Sequence, residues 1–231
     1  MIGILCALDK EIELLLQNVE NAQQVKKCGY DYTIGDLCGK KVVLCKCGIG
    51  KVNAAVCCQT MLLSWPVKLV INSGVAGALR EPLEIGDICV ATDLVQHDVD
   101  TTAVGDPIGL VSTVNQVSFP TWQPEHCVDV LKELGFSATT GRVATGDWFA
   151  TSCPRAEWIR DTFQPLLVEM EGCAIAQVCL RNNVRFVALK SVSDHLFSAN
   201  QAAEYFDFGQ ALENLGKVLK PLAFALQKEE I

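Results

Sequence analysis

Short apolar runs alternate with longer stretches of helical period along this chain, the pattern of an α/β domain whose strands are covered on both faces. The apolar runs predict strands at Ile2 to Ala7, Asp31 to Leu37, Lys41 to Cys47, Lys68 to Asn72, Asp87 to Val95, Gly141 to Thr145, Leu166 to Met170 and Arg185 to Ser191. The helical period predicts helices at Lys10 to Val19, Lys51 to Leu63, Pro124 to Leu134, Pro154 to Phe163, Gly172 to Asn182 and Ala202 to Lys228. Pro124 and Pro154 suit first helical turns, where the missing N–H costs nothing. Asp36 to Lys40 carries a glycine between two strand candidates and reads as a hairpin, so the sheet is expected to be mixed. Gln96 to Gln123 has little period and contains Gly105, Pro107, Gly109 and Pro120. A loop of that length inside a compact domain is functional or mobile.

With 231 residues, half of them hydrophobic, the chain is expected to form one domain over 1–231. The sequence contains no repeat, low-complexity tract or linker. The formal charge of 19 minus 27, or −8, with no Lys or Arg run, argues against nucleic acid or an anionic membrane as partner. No stretch approaches the ~20 apolar residues of a membrane span, so the expectation is a cytoplasmic protein with a small-molecule ligand. The twelve cysteines include no Cys-x-x-Cys pair, which argues against zinc. They read as reduced, small core residues in a chain with ample core of its own.

Gly48-Ile49-Gly50-Lys51 follows a strand and opens a helix, so its amides could meet an anion or a hydroxylated ligand. It fails as a dinucleotide fingerprint, because Asn53 stands at the sixth position, and as a Walker loop. Read alone it is an ordinary tight turn. Ser73-Gly74-Val75-Ala76-Gly77 reads as a second small-residue turn, with packing and ligand approach equally open. Glu171 lies at a strand-to-helix junction and suits either a helix cap or a ligand contact, whereas Glu169 alternates with it and reads as structural. Asp194, after Ser191-Val192-Ser193, is again either a cap or a site residue. Glu11 alone would be an exposed helix position. His97 with Asp98 reads as a structural hydrogen-bonded pair, since no third ligand supports a metal. No Gly-x-Ser-x-Gly elbow is present.

Taken together, Ile2-Gly3-Ile4 to Leu8 with Glu11, Gly48-Ile49-Gly50-Lys51-Val52, Ser73-Gly74-Val75-Ala76-Gly77, Gly86-Asp87, His97-Asp98-Val99-Asp100, Thr145-Gly146-Asp147-Trp148-Phe149, Val168-Glu169-Met170-Glu171 and Ser193-Asp194 occur in one order. In that order they resemble the 5′-methylthioadenosine/S-adenosylhomocysteine nucleosidases of the nucleoside phosphorylase superfamily. The resemblance covers nearly the whole chain. It implies a three-layer α/β/α domain with a mixed central sheet, and a homodimer in which each subunit completes its neighbour's pocket. It implies hydrolysis of an N-glycosidic bond with adenine released, and no metal or organic cofactor.

Position by position, the resemblance makes Glu11 the base that activates water and Asp194 the acid at adenine N7, oriented by Ser193. Glu171 would bind the ribose hydroxyls over Met170, with Phe149 stacked on adenine and the Ala150 backbone reading its edge. Leu8 and Phe206 would line the 5′-substituent pocket, and Ile49, Thr101 and Val104 would reach in from the partner. The chain departs from the family at Lys190, where many relatives have Arg, and at Val75, where some have Ser. Both positions lie near the attacking water in the family, and Lys lacks the planar donor fork of Arg. Three alternatives remain at this stage: a futalosine or aminofutalosine nucleosidase, a phosphate-dependent purine nucleoside phosphorylase, and a nucleoside-binding protein without turnover. Keeping Glu11, Glu171 and Asp194 together argues against the last, because binding alone does not call for both an acid and a base.

Overall fold

A computed structural model describes residues 1–151, 153–197 and 208–226. In chain order the elements are β1 (Ile2–Cys6), α1 (Asp9–Leu16), β2 (Glu20–Lys27), β3 (Tyr30–Leu37), β4 (Lys40–Lys46), α2 (Lys51–Ser64), β5 (Leu69–Ala78) and β6 (Ile88–Gln96). They continue with a 3₁₀ turn (Thr102–Val104), β7 (Ser118–Pro120), α3 (Pro124–Glu133), β8 (Thr139–Thr145), α4 (Pro154–Phe163), β9 (Leu167–Glu169), α5 (Gly172–Arg181), β10 (Arg185–His195) and α6 (Phe208–Leu226). The strands form one mixed sheet in the order β10-β6-β8-β9-β5-β1-β4-β3-β2. Because β10 also pairs β5, the first five of these strands close on themselves, and β1, β4, β3 and β2 continue as an open wing.

Helices cover both faces. Cys57, Cys58 and Met61 of α2 and Ile175 and Cys179 of α5 pack in one cluster with Leu5, Val43 and Val70 of the sheet. On the other face Ile12 and Leu15 of α1, Leu131 of α3 and Leu219 and Leu222 of α6 pack against Ile2, Ile4 and Leu44. This explains why β1, with both faces buried, is apolar without alternation. Each such fully buried aliphatic side chain contributes roughly 1.5–3 kcal/mol. Gly3 is needed for close approach, since a Cβ there would lie 2.4 Å from the Met61 sulfur. The thioether would have to move.

The sequence-based elements correspond to most of these, with three differences. β2 carries the polar sequence Glu20–Lys27 and is exposed along nearly its whole length. As the edge strand of the wing it needs no apolar face, and polar side chains there blunt edge-to-edge pairing. The turn into β4 lies inside Asp36 to Lys40 as expected, with Cys38 and Gly39 both at positive φ (52° and 74°), the backbone of a tight I′-like turn. The small-residue run Ser73–Gly77 is not a turn; it lies within β5 and pairs with β10. Gln96 to Gln123 is not one irregular loop, since it holds the 3₁₀ turn, a Val111–Gln116 bridge and β7 against β6. The beginning and end of the helix expected at Ala202 to Lys228 lie outside the described residues. Among the described residues no helix is long and apolar enough to cross a membrane.

Candidate active site

The carboxyl ends of β5, β9 and β10 and the start of α1 surround a solvent-open cavity of about 640 Å³, the usual place for a ligand in an open α/β sheet. Its lining includes Leu8, Glu11, Ile49, Val75, Phe149, Ala150, Met170, Glu171, Ser193 and Asp194. Residues far apart in the chain, and individually ambiguous in sequence, thus share one cavity.

Glu11 is buried despite its position in the first turn of α1. Its Oε2 accepts the amides of Ala7 (2.8 Å) and Leu8 (2.9 Å), and its Oε1 accepts the amide of Val75 (3.0 Å). Burial nonetheless pushes its carboxyl above the ordinary value, with those amides pulling the other way. Gly74 permits the approach, because a Cβ there would lie 2.8 Å from Glu11 Oε1.

Glu171 occupies the N-cap position of α5 yet makes no capping bond with its side chain. Its Oε1 instead accepts the Gly50 amide at 2.8 Å. Burial raises its pKa to about 7, helped by the nearby Glu169 charge and opposed by Lys190. The capping task falls to Glu169, whose carboxylate accepts the amides of Glu171 (3.1 Å) and Gly172 (2.8 Å). The Thr145 hydroxyl and Lys190 Nζ (2.9 Å) also donate to Glu169. Burial works against the Glu169 charge, but Lys190 and the other donors hold it below the usual carboxylate range.

Ser193 and Asp194 lie on β10 just where its register against β5 shifts, between Val192 and Asp194. Such an irregularity re-aims side chains at a strand end. The Ser193 hydroxyl donates to Asp194 Oδ1 at 2.6 Å. Burial raises the Asp194 carboxyl, and the Ser193 bond offsets this only in part. Gly77 leaves the room, since a Cβ would lie 3.1 Å from Asp194 Oδ2.

Two amides of the Gly48–Lys51 turn are taken up by the protein itself. Gly50 N–H goes to Glu171 and Lys51 N–H to Asp147 Oδ1 (2.7 Å). Gly50 sits at φ 95°, and a Cβ would press on Asp147 Oδ1 at 3.0 Å, so the residue must be glycine. Lys51 Nζ binds Asp98 Oδ1 at 2.6 Å, and Asp98 Oδ2 accepts the Asp147 amide at 2.9 Å. These bonds tie the turn to the segment carrying Trp148 and Phe149. The expected His97–Asp98 bond is absent, because Asp98 is taken by Lys51. Among the described residues neither ring nitrogen of His97 has a partner, and burial lowers its pKa to about 4. His97 instead packs on Gly146, where a Cβ would lie 2.3 Å from the ring.

The remaining candidate residues take different places. Lys190 does not line the cavity; it is buried behind it on Glu169. Thr101 and Val104 lie outside the cavity of their own chain, with the Thr101 hydroxyl on Asp106 Oδ2 (2.8 Å) and Val104 80% exposed. Ile49, expected to reach a partner's pocket, lines its own. Phe206 lies outside the described residues, while Phe208, at the start of α6, lines the cavity. Trp148 lines it too, with the Arg155 guanidinium 4.5 Å from its ring centroid. Its place beside Phe149 was the available sequence signal. Among the described residues no group of three His, Cys, Asp or Glu side chains could hold a metal ion. The twelve cysteines are all free; Cys28 and Cys38, at the hairpin turns, are exposed, Cys153 is half-exposed, and the others are buried.

The phosphorylase superfamily model matches residues 1–226. The 5′-methylthioadenosine/S-adenosylhomocysteine nucleosidase of Staphylococcus haemolyticus is 33% identical over 226 residues, 96% of this chain and 98% of that protein. The structure of the corresponding Helicobacter pylori nucleosidase with butyl-thio-DADMe-Immucillin-A is similar with TM-score 0.90 and 31% identity, covering 97% of both chains. The native futalosine hydrolase of Helicobacter pylori strain 26695 is similar with TM-score 0.89 and 31% identity, again over 97% of both chains. With this coverage and a cavity built from the same ordered motifs, the chain belongs to the phosphorylase superfamily, among its 5′-methylthioadenosine/S-adenosylhomocysteine nucleosidases.

Proposed function

We propose that this enzyme hydrolyses the N-glycosidic bond of 5′-methylthioadenosine and S-adenosylhomocysteine, releasing adenine and the 5-substituted ribose. The observation that carries this reading is the convergence of Glu11, Glu171 and Asp194 on one cavity. Cleavage of C1′–N9 moves an electron pair onto the purine and leaves oxocarbenium character on the sugar. Asp194 is suited to give its proton to N7, because burial favours its neutral form. Glu11 takes a proton from the water that attacks C1′, completing the hydrolysis. Glu171 accepts hydrogen bonds from the ribose hydroxyls, Met170 lies under the sugar, Phe149 stacks on the base and the Ala150 backbone reads its edge. Leu8 and Phe208 serve the 5′-substituent. No metal or organic cofactor enters the scheme.

Incubation with 5′-methylthioadenosine in phosphate-free buffer is expected to release adenine. No release, or release only after phosphate is added, overturns the hydrolytic reading. The similarity to a futalosine hydrolase supports a second substrate class, so the panel includes aminofutalosine beside adenosylhomocysteine, adenosine and inosine.

The enzyme works as a homodimer in this reading. Val52 (72%) on α2, Val104 (80%) on the 3₁₀ turn and Leu180 on α5 are exposed apolar side chains, which supports their burial against a second copy. Thr101 and Val104 then serve the neighbour's cavity. Sedimentation at micromolar concentration is expected to give twice the chain mass, and a monomer removes this part. The free thiols support a reducing, cytoplasmic setting.

A further inference from the structure

Two buried titratable groups, Lys190 and Glu169, have no part in the chemistry just described. Lys190 is 1% exposed and Glu169 7% exposed; Glu169 borders the cavity, and its 2.9 Å ion pair reaches back to Lys190, which does not line it. Removing ions from water is expensive, and a buried pair is often no more stabilising than an apolar one. Its position therefore needs a reason beyond stability.

Glu169 gathers the Glu171 and Gly172 amides, the Thr145 hydroxyl and the Lys190 ammonium. It thereby fixes the β9–α5 junction that presents Met170 and Glu171. Lys190 stands on β10, on the same strand as Ser193 and Asp194, so the pair joins the two halves of the site. The Lys190 charge also acts electrostatically on Glu171 and Glu11, lowering the proton affinity of each. We propose that the Lys190–Glu169 pair is a positioning unit for Glu171: it clamps the β9–α5 junction that presents Glu171, and Lys190 sets a cation behind the carboxylates of the site. This rests on the nucleosidase reading above and assigns the replaced arginine position a role in this chain.

The charged surroundings of Glu171 define the expected signs. Glu169 on β9 and Glu11 on α1 oppose its ionisation, while Lys190 on β10 and the Gly50 amide favour it. The neighbouring thiols of Cys6 on β1 and Cys47 after β4 are held neutral by burial. Lys51 beyond the turn is taken up by Asp98. Deleting the cation therefore hinders ionisation of Glu171, and deleting the Glu169 charge assists it.

The test is the pH profile of kcat/KM for 5′-methylthioadenosine in K190M, E169Q and K190R. The Kd of a neutral, non-hydrolysable 5′-methylthionucleoside is measured over the same range, so that turnover is not required. K190M is expected to move the acid limb to higher pH by about one unit or more, the scale of a nearby charge, and to raise KM more than it lowers kcat. E169Q is expected to move that limb the opposite way while also raising KM through loss of the clamp. K190R is expected to bring the limb back toward wild type. Should either single variant fail to fold, the double variant E169Q/K190M, with no unpaired ion, is expected to restore folding and to keep the raised KM. Limbs that move together, limbs that do not move, or a double variant with wild-type KM overturn the inference. Absence of adenine release by the wild type overturns the reaction instead, and the binding profile still decides the direction of the shifts.

Discussion

Two regions of one cavity hold their acids in opposite ways. On the side of α1 and the β9–α5 junction, Glu11 receives three backbone amides and Glu171 receives the Gly50 amide, with Lys190 behind them. At the end of β10, Asp194 has among the described residues a hydroxyl donor, Ser193. Burial raises all three carboxyl groups, so burial alone does not assign roles. Donors do: amides and a cation favour a carboxylate, while a carboxyl with few donors keeps its proton. In the proposed reaction the first region serves the sugar with carboxylates and the second gives a proton to the leaving base.

Exchange of the proton donor tests that contrast most severely. D194N is expected to lower kcat by ~10² or more, the scale of general acid catalysis, with KM changing less; steady-state adenine release measures both. A wild-type rate in D194N removes the acid from that end. E11Q is expected to follow with a loss of about 10², since a neutral amide cannot take the proton from water. Loss in KM alone would make Glu11 a binding group and erase the distinction.

E171Q has a smaller effect of a different kind. Hydrogen bonds to a charged group are worth about 1.5–3 kcal/mol, so KM for 5′-methylthioadenosine is expected to rise roughly tenfold to a hundredfold, with a modest change in kcat. Burial first, and then Glu169, bring Glu171 to about 7. In the proposed reaction the ionised form binds the ribose hydroxyls, so wild-type kcat/KM is expected to fall as pH drops below about 7. E171Q flattens that limb, and an unchanged limb assigns it to Glu11.

What the sequence reveals differs between these regions for a physical reason. Strands buried on both faces are apolar without interruption, so the closed part of the sheet and its helices can be read directly. The edge strand β2 is polar on both faces and carries no such signal. The run Ser73–Gly77 looks like a turn because its residues are small, yet it is a strand whose glycines make room for Glu11 and Asp194. Local pattern contains no trace of a side chain arriving from another element. The acids themselves were legible only through the order of the motifs. Lys190 could be noticed as a substitution, but its pairing with Glu169 needed the registry of β10 against β5 and the β9–α5 junction. His97 and Asp98 show the converse, neighbours in sequence whose bond is forgone because Lys51, distant in sequence, reaches Asp98 first.

The finest test lies in the single hydroxyl on Asp194. Ser193 donates to Oδ1 at 2.6 Å, a bond that favours the ionised carboxylate. Its removal in S193A therefore raises the Asp194 pKa further above the ordinary value. In the proposed reaction Asp194 acts in its protonated form, so activity is retained below its pKa and lost as pH rises through it. The basic limb of kcat/KM is expected to move to higher pH, while the rate at neutral pH falls less than tenfold, in keeping with about 1 kcal/mol for one neutral hydrogen bond. A basic limb displaced to lower pH would mean that the hydroxyl accepts from the neutral acid and gives its own proton to the Ala76 carbonyl, 3.3 Å away. In that arrangement Ser193 stabilises the proton-bearing form, and the sparse donor set at this end becomes an active device for holding the proton.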